Sequence, residues 1–392
     1  MLLAEKIKKL DKFSQGFNDK QGKVIAGRIS QNQELVDKLI VKFVKTPSLN
    51  LNEVMGGGFP KGRITIVSGL PDSGKTFNLL ETIGENMKTN PDFVAGWLES
   101  EASLNISDLE MFGIDADRFW YIEADSKGAE ESLNAVQAAL ATGAIDFFVI
   151  NSLKCLVPSE ELSKGFDKQQ VGLQARLNSK LMRKLAPVVS DNDVAFVMVQ
   201  HLSTDIGSLS YDPLTLSGGF AIKYGASIIL DYRKKSISDS DPIKKEEGVK
   251  IGVTVRKNHT VTNKFPYLKT EYYGLFGQGT EKYLEAIDLA MDAGIVKRGG
   301  AWYSILDENT GEIKLDKNNT PLKWQGLPKF RNYCKENPDF FNDLLSKLNG
   351  KVEQLSEEEI DKILSLEEQE KGLAQDVDFE EEDIIKKSKK KK

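Results

Sequence analysis

The chain has 392 residues, 40% hydrophobic and 29% charged, with a net charge of −6. That balance is ordinary for a globular protein, and the length suits one large domain or a core with smaller appendages. No apolar run nears the ~18 residues of a membrane span. The two cysteines, Cys155 and Cys334, are too few for a disulfide framework, and His201 and His259 alone exclude a His-rich metal site, so a cytoplasmic setting is the default.

The N-terminus, MLLAEKIKKLDKF, has lysines inside its apolar pattern, unlike a signal peptide. Over residues 1–45, Leu3, Ile7, Leu10 and Phe13 form one apolar stripe among lysines, which predicts a helical segment. Residues 46–280 then alternate strand and helix. RITIVSG (63–69) predicts a strand, and the segment after GKT a helix. FVAGWLES (93–100), DFFVINS (146–152), VAFVMVQ (194–200), ASIILDYR (226–233) and VKIGVTVRKN (249–258) predict further strands. Helices are expected over 130–142, with Gly143 as cap, and over 171–190. Continuous apolar strands separated by helices predict an α/β fold, its mostly parallel central sheet covered on both faces. Residues 281–349, around GGAWYSI and KFRNYCKENPDFFNDLL, predict a small α+β domain. Residues 350–392 are dominated by Glu and Asp, end in KKSKKKK, and predict a solvated tail.

Gly69-Leu70-Pro71-Asp72-Ser73-Gly74-Lys75-Thr76 fits G-x-x-x-x-G-K-[ST] between a strand and a helix, the context a phosphate loop requires. Glycines let backbone N–H groups wrap phosphates, and the helix N-terminus adds partial positive charge. Lys75 would reach the β- and γ-phosphates of ATP, and the Thr76 hydroxyl would ligate Mg2+. The other strands end in Glu99 and Glu101, in Asn151 and Ser152, and in Gln200. An acid that polarises water, an amide that senses the γ-phosphate and a magnesium-side group are what NTP hydrolysis needs. Loop capping is the competing reading for each alone. An ATPase sheet usually places an acid where Asn151 stands. Its carbonyl oxygen can still accept a hydrogen bond from a magnesium-bound water, without the charge that strengthens it. The expectation is slowed hydrolysis, with Asn151→Asp raising turnover or lowering the magnesium requirement.

A long helix with Leu173, Leu177, Leu181 and Leu185 inward would carry Arg176, Lys180, Arg183 and Lys184 on its other faces. It follows an aperiodic segment, 158–170, and a second such segment spans 203–219. A basic stripe beside such a loop can track a phosphate backbone; a merely solvated face is the bland alternative.

From about residue 44 to 345, many blocks in order resemble the RecA family of homologous-recombination proteins, bacterial or viral. They include SLNLNEVMGGGFPKGRITIVSGLPDSGKT, GAIDFFVINSLKCLVP, VGLQARLNSKLMRKLAP, SGGFAIKYGASIILDYR, VRKN and GGAWYS. The resemblance implies a RecA-type core that polymerises on single-stranded DNA, binds ATP between subunits and exchanges strands with a homologous duplex. The N-terminal segment would serve oligomerisation, and recombination mediators and a single-strand-binding protein become candidate partners. By position, Glu101 matches the catalytic carboxylate and Gln200 the residue coupling the γ-phosphate to the second DNA loop. Lys257 matches a lysine reaching the neighbouring subunit's ATP, and Tyr224 an interface aromatic. Arg176, Ser179 and Arg183, with Gly207, Tyr211, Gly218 and Gly219 of the second loop, match DNA contacts. Departures are Asn151 for Asp, His259 for a second trans-acting lysine, Asp108 for an adenine-stacking aromatic, and a second loop without Lys or Arg. Salt-dependent, weak DNA binding is expected. Two alternatives are another motor on the same core, such as a ring helicase, and an ATP-switched DNA-coating filament with little hydrolysis.

Overall fold

A computed structural model of the chain describes residues 2–22, 24–163, 172–204, 214–216, 219–260, 268–307, 310–316 and 319–348. They fall into two compact units, Met1–Thr280 and Glu281–Lys392. The acidic tail, and Gly207, Tyr211 and Gly218, lie outside the described residues.

The first unit is built on a ten-stranded sheet. Six strands are parallel, in the order Ile228–Lys235, Arg63–Gly69, Ala195–Thr204, Phe147–Asn151, Ala95–Glu99, Phe119–Glu123. Gly248–Asn258, Lys269–Leu275 and Gly279–Thr280 extend one side antiparallel, and Leu214–Leu216 pairs back on Ala195–Thr204. The strand expected over 194–200 thus runs on to Thr204, and part of the aperiodic segment after it is a returning strand. The first aperiodic segment opens with a short helix, Ser159–Leu162. Phe119–Glu123 is an edge strand that the sequence pattern did not announce, because Trp120 and Tyr121 are exposed.

Side-chain alternation along each strand divides the core in two. Val67, Trp97, Phe147, Val149, Val197 and Val199 point to one face. There they meet Leu79, Leu80, Ile83 and Met87 of the helix Lys75–Thr89. Ile66, Leu98, Phe148, Ile150, Phe196 and Met198 point to the other face. They pack on Val136 and Leu140 of Ala129–Ala141 and on Leu177, Leu181 and Leu185 of Leu173–Asp191. Burial on both faces explains the continuous apolar runs. Gly143, at φ +71, follows the first of these helices in the left-handed conformation that suits a C-terminal glycine.

The helix Leu3–Gln21 forms as its periodicity predicts but buries none of its residues, and Leu3, Leu10 and Phe13 are exposed. The second unit holds the helix Lys282–Asp292, an antiparallel sheet of Val296–Gly299, Trp302–Ile305 and Lys323–Gln325, and helices Leu327–Glu336 and 338–348. Trp324 stacks on Phe330 at 4.3 Å in its core.

Candidate nucleotide site and DNA-facing helix

The phosphate loop is tight enough to demand its glycines. A Cβ on Gly69 would lie 2.6 Å from both Ser73 Oγ and the Tyr232 carbonyl oxygen. Gly74, at φ +89, begins the helix, and a Cβ there would lie 2.5 Å from Ile251 Cδ1. The loop therefore keeps a backbone-lined cradle at a helix N-terminus, which suits an anion. Asp72 also takes a left-handed φ of 58°. Lys75 is 5% exposed. Its ammonium donates to the carbonyl oxygens of Gly69 (3.2 Å) and Leu70 (2.7 Å) and to Ser73 Oγ (3.4 Å). Burial pushes its pKa below the ordinary lysine value, partly countered by the negative charges of Glu101 and Asp72. Thr76 follows, half-buried, in the first helical turn.

Parallel register lines up the other candidates. Ser68 is the partner of Gln200, Gly69 of His201, and Glu99 of Asn151. Glu99 and Asn151 share the face of Trp97 and Val149, on the side of the phosphate-loop helix. Both are buried, at 2% and 0% exposure. Glu99 Oε2 accepts from Trp97 Nε1 (2.9 Å) and from Asn151 Nδ2 (3.1 Å). Glu99 Oε1 accepts from Glu101 N (2.7 Å) and, more distantly, from the N–H and hydroxyl of Ser103. Asn151 Oδ1 is buried without a partner. Ser152 is buried, and its N–H donates to Ser100 Oγ at 2.9 Å.

Glu101 stands just past the Glu99 strand. Its Oε1 lies 2.6 Å from His201 Nε2. Burial would push the Glu101 pKa up, but hydrogen bonds from Ser152 and His201, then the charges of His201 and Lys75, hold it below the ordinary glutamate value. His201 was not among the expected site residues. Alternation supplies the missing signal: 197, 199 and 201 share the phosphate-loop face, while Gln200 follows Phe196 and Met198 to the opposite one. Gln200 is 2% exposed there. Asp108 has a local job: its Oδ2 accepts from Asn105 N at 2.9 Å and caps the helix Ile106–Met111.

A profile of the RecA N-terminal domain matches residues 11–281. Relatives named Protein RecA include that of Syntrophus aciditrophicus, 33% identical over 81% of this chain and 86% of its own length. That of Dichelobacter nodosus is 32% identical over 83% and 87%. That of Thermus aquaticus is 30% identical over 81% and 88%. The chain belongs to the RecA family. The RecA-type core is thus established in both its sheet and its sequence. The cradle at Gly69–Thr76 and the buried acceptor Asn151 Oδ1 fit a nucleotide bound with a divalent metal, as expected of this family.

The other expected RecA-family positions lie elsewhere on the first unit. Arg176, Lys180, Arg183 and Lys184 are exposed on Leu173–Asp191, behind the buried leucines. Ser179 Oγ donates to the Ala175 carbonyl oxygen (2.8 Å), and Arg183 Nε to that of Ser179 (3.3 Å). Gly219, at φ +90, begins the helix Phe220–Gly225, whose Phe220 and Tyr224 are 75% and 79% exposed. Lys257 Nζ donates to the Lys223 and Tyr224 carbonyl oxygens, both at 2.9 Å. Burial lowers its pKa. His259 is exposed nearby in sequence, its N–H bonded to the Ser227 carbonyl oxygen. Among the described residues, no helix is long and apolar enough to cross a membrane.

Proposed function

We propose that this RecA-family protein is an ATP-dependent DNA recombinase: it forms helical filaments on single-stranded DNA and promotes pairing and strand exchange with a duplex. The observation that carries the ATPase part is the convergence of Lys75, Glu101 and His201 at the mouth of the phosphate loop. The loop glycines, Lys75 and Thr76 bind the triphosphate and its magnesium, with Asn151 and Ser152 at the neighbouring strand ends. Bound magnesium would neutralise charge developing on the transferred phosphoryl group. Glu101 orients the attacking water and takes its proton. His201 holds the Glu101 carboxylate in place. Gln200, on the same strand but on the face of the DNA-side helix, couples the γ-phosphate to the second DNA loop.

Arg176, Ser179 and Arg183 contact the DNA backbone, and Gly207, Tyr211, Gly218 and Gly219 are further DNA contacts by family resemblance. Tyr224, Lys257 and His259 form part of the contact with the next subunit, where Lys257 reaches its nucleotide. The N-terminal helix, with its uncovered apolar stripe, supports the same self-assembly. Residues 281–349 act as a separate small domain, and 350–392 as a charged tail. The protein works in the cytoplasm, with recombination mediators and a single-strand-binding protein as further partners.

ATP turnover with and without single-stranded DNA, beside electron microscopy of the products, tests this. Filaments with DNA-stimulated turnover are expected. Closed rings would point to a different motor, and filaments without turnover to a coating protein.

A further inference from the structure

The amide at Asn151 and the carboxylate at Glu99 form one unit. They are register partners on adjacent parallel strands, buried on the same face. Five donors reach the two Glu99 oxygens: Trp97 Nε1, Asn151 Nδ2, Glu101 N, and the N–H and hydroxyl of Ser103. None of them is a cation. The Asn151 amide therefore has one admissible orientation. Turned over, it would set its carbonyl oxygen against a Glu99 oxygen, two acceptors facing each other at 3.1 Å. Oriented as it is, it leaves Oδ1 as a buried acceptor without a partner. A buried unpartnered acceptor is costly in itself and calls for an explanation.

We propose that Glu99 is a positioning residue of the nucleotide site. It fixes Asn151 so that Oδ1 faces away from it and can accept a hydrogen bond from a magnesium-bound water. It also excludes an acid from position 151. This rests on the nucleotide-site reading above and deepens it. The negative charge at this edge sits one strand over from its expected place, on the register partner of the amide. The same carboxylate accepts from Glu101 N, so it also anchors the backbone of the catalytic acid.

On this proposal Asn151→Asp alone should neither raise turnover nor lower the magnesium requirement, unlike the expectation drawn from the sequence. That change removes a donor from Glu99 and sets two carboxylates about 3 Å apart, where like charges repel strongly.

The test is a cycle of four full-length proteins: wild type, Asn151→Asp, Glu99→Gln and the double variant. Two quantities are read without turnover. One is the thermal midpoint in the absence of nucleotide. The other is the magnesium concentration that half-saturates binding of a fluorescent ATP analogue. The loss of an acceptor for Trp97 is common to both Glu99→Gln proteins and cancels from their comparison. Asn151→Asp should lower the midpoint by roughly 2–4 °C or more in the wild-type background. In the Glu99→Gln background it should leave the midpoint unchanged or raise it, because the new amide can donate to the new carboxylate. The double variant should also need several-fold less magnesium than Glu99→Gln alone.

Equal effects of Asn151→Asp in the two backgrounds would overturn the pairing, as would failure of the double variant to fold where Glu99→Gln folds. Wild-type protein that binds no ATP analogue at any magnesium concentration would instead overturn the nucleotide-site reading itself. The two failures are thus distinguishable.

Discussion

At the nucleotide edge, a carboxylate that is 2% exposed takes five donors, and Glu101 is held by His201 before any ligand arrives. On the Leu173–Asp191 helix the pattern is reversed: Arg176, Lys180, Arg183 and Lys184 are exposed, with leucines buried on the far side and one long backbone contact, from Arg183 Nε to the Ser179 carbonyl oxygen. The first region is ordered by folding, so a reacting group meets dipoles already aimed. The second is solvated, and on the proposed DNA-contact reading its binding energy would come largely from released counterions. Chemistry on a fixed phosphate needs the first arrangement. Binding DNA regardless of sequence suits the second.

The sharpest way to break this contrast is Glu101→Gln. Turnover should fall by about 10²–10⁴-fold while nucleotide binding persists, as read by phosphate release and equilibrium titration. Retained turnover would mean that the ordered edge is not the catalytic one. Next in size, Arg176→Ala with Arg183→Ala should weaken single-strand binding. Its log–log salt slope should drop by about 0.7 for each lost contact. DNA-independent turnover should not change. An unaltered slope would reduce the basic stripe to a solvated surface.

His201→Ala tests whether the fixed order matters to the acid. Glu101 has a depressed pKa, so its ionised form persists as pH falls below the ordinary glutamate range and is lost only on passing through that lower value. Without the hydrogen bond and charge of His201, the acid limb of the kcat/KM profile should move to higher pH. A stationary limb would show that His201 does not act on Glu101. The smallest effect belongs to Asp108→Ala. Loss of its cap should destabilise the protein by about 1 kcal/mol in a denaturant titration. Nucleotide affinity should hold, since the side chain is engaged with Asn105.

Much of the fold was legible because strands buried on both faces are apolar without interruption, as at Phe147–Ile150 and Ala195–Val199. The edge strand Phe119–Glu123 was not, since solvent on one side removes that signature. The phosphate loop was legible because its chemistry is contiguous in sequence. The Glu99–Asn151 pair was not, because the two residues are 52 apart in sequence and meet only through strand order. Gln200 and His201 posed a different difficulty. Both end the same apolar run, and only the alternation of the folded strand assigns one to each face.

That alternation makes chain length, rather than residue type, the fragile property of the Ala195–Thr204 strand. Adding or deleting a single residue between Phe196 and Gln200 would exchange the faces of everything downstream. Either change would take the imidazole away from Glu101, and an insertion would set the amide in its place, with no side chain altered. Adding two residues would restore the faces but carry the returning Leu214–Leu216 segment about 7 Å outward. Natural variation in this strand should therefore be rich in replacements and poor in length changes.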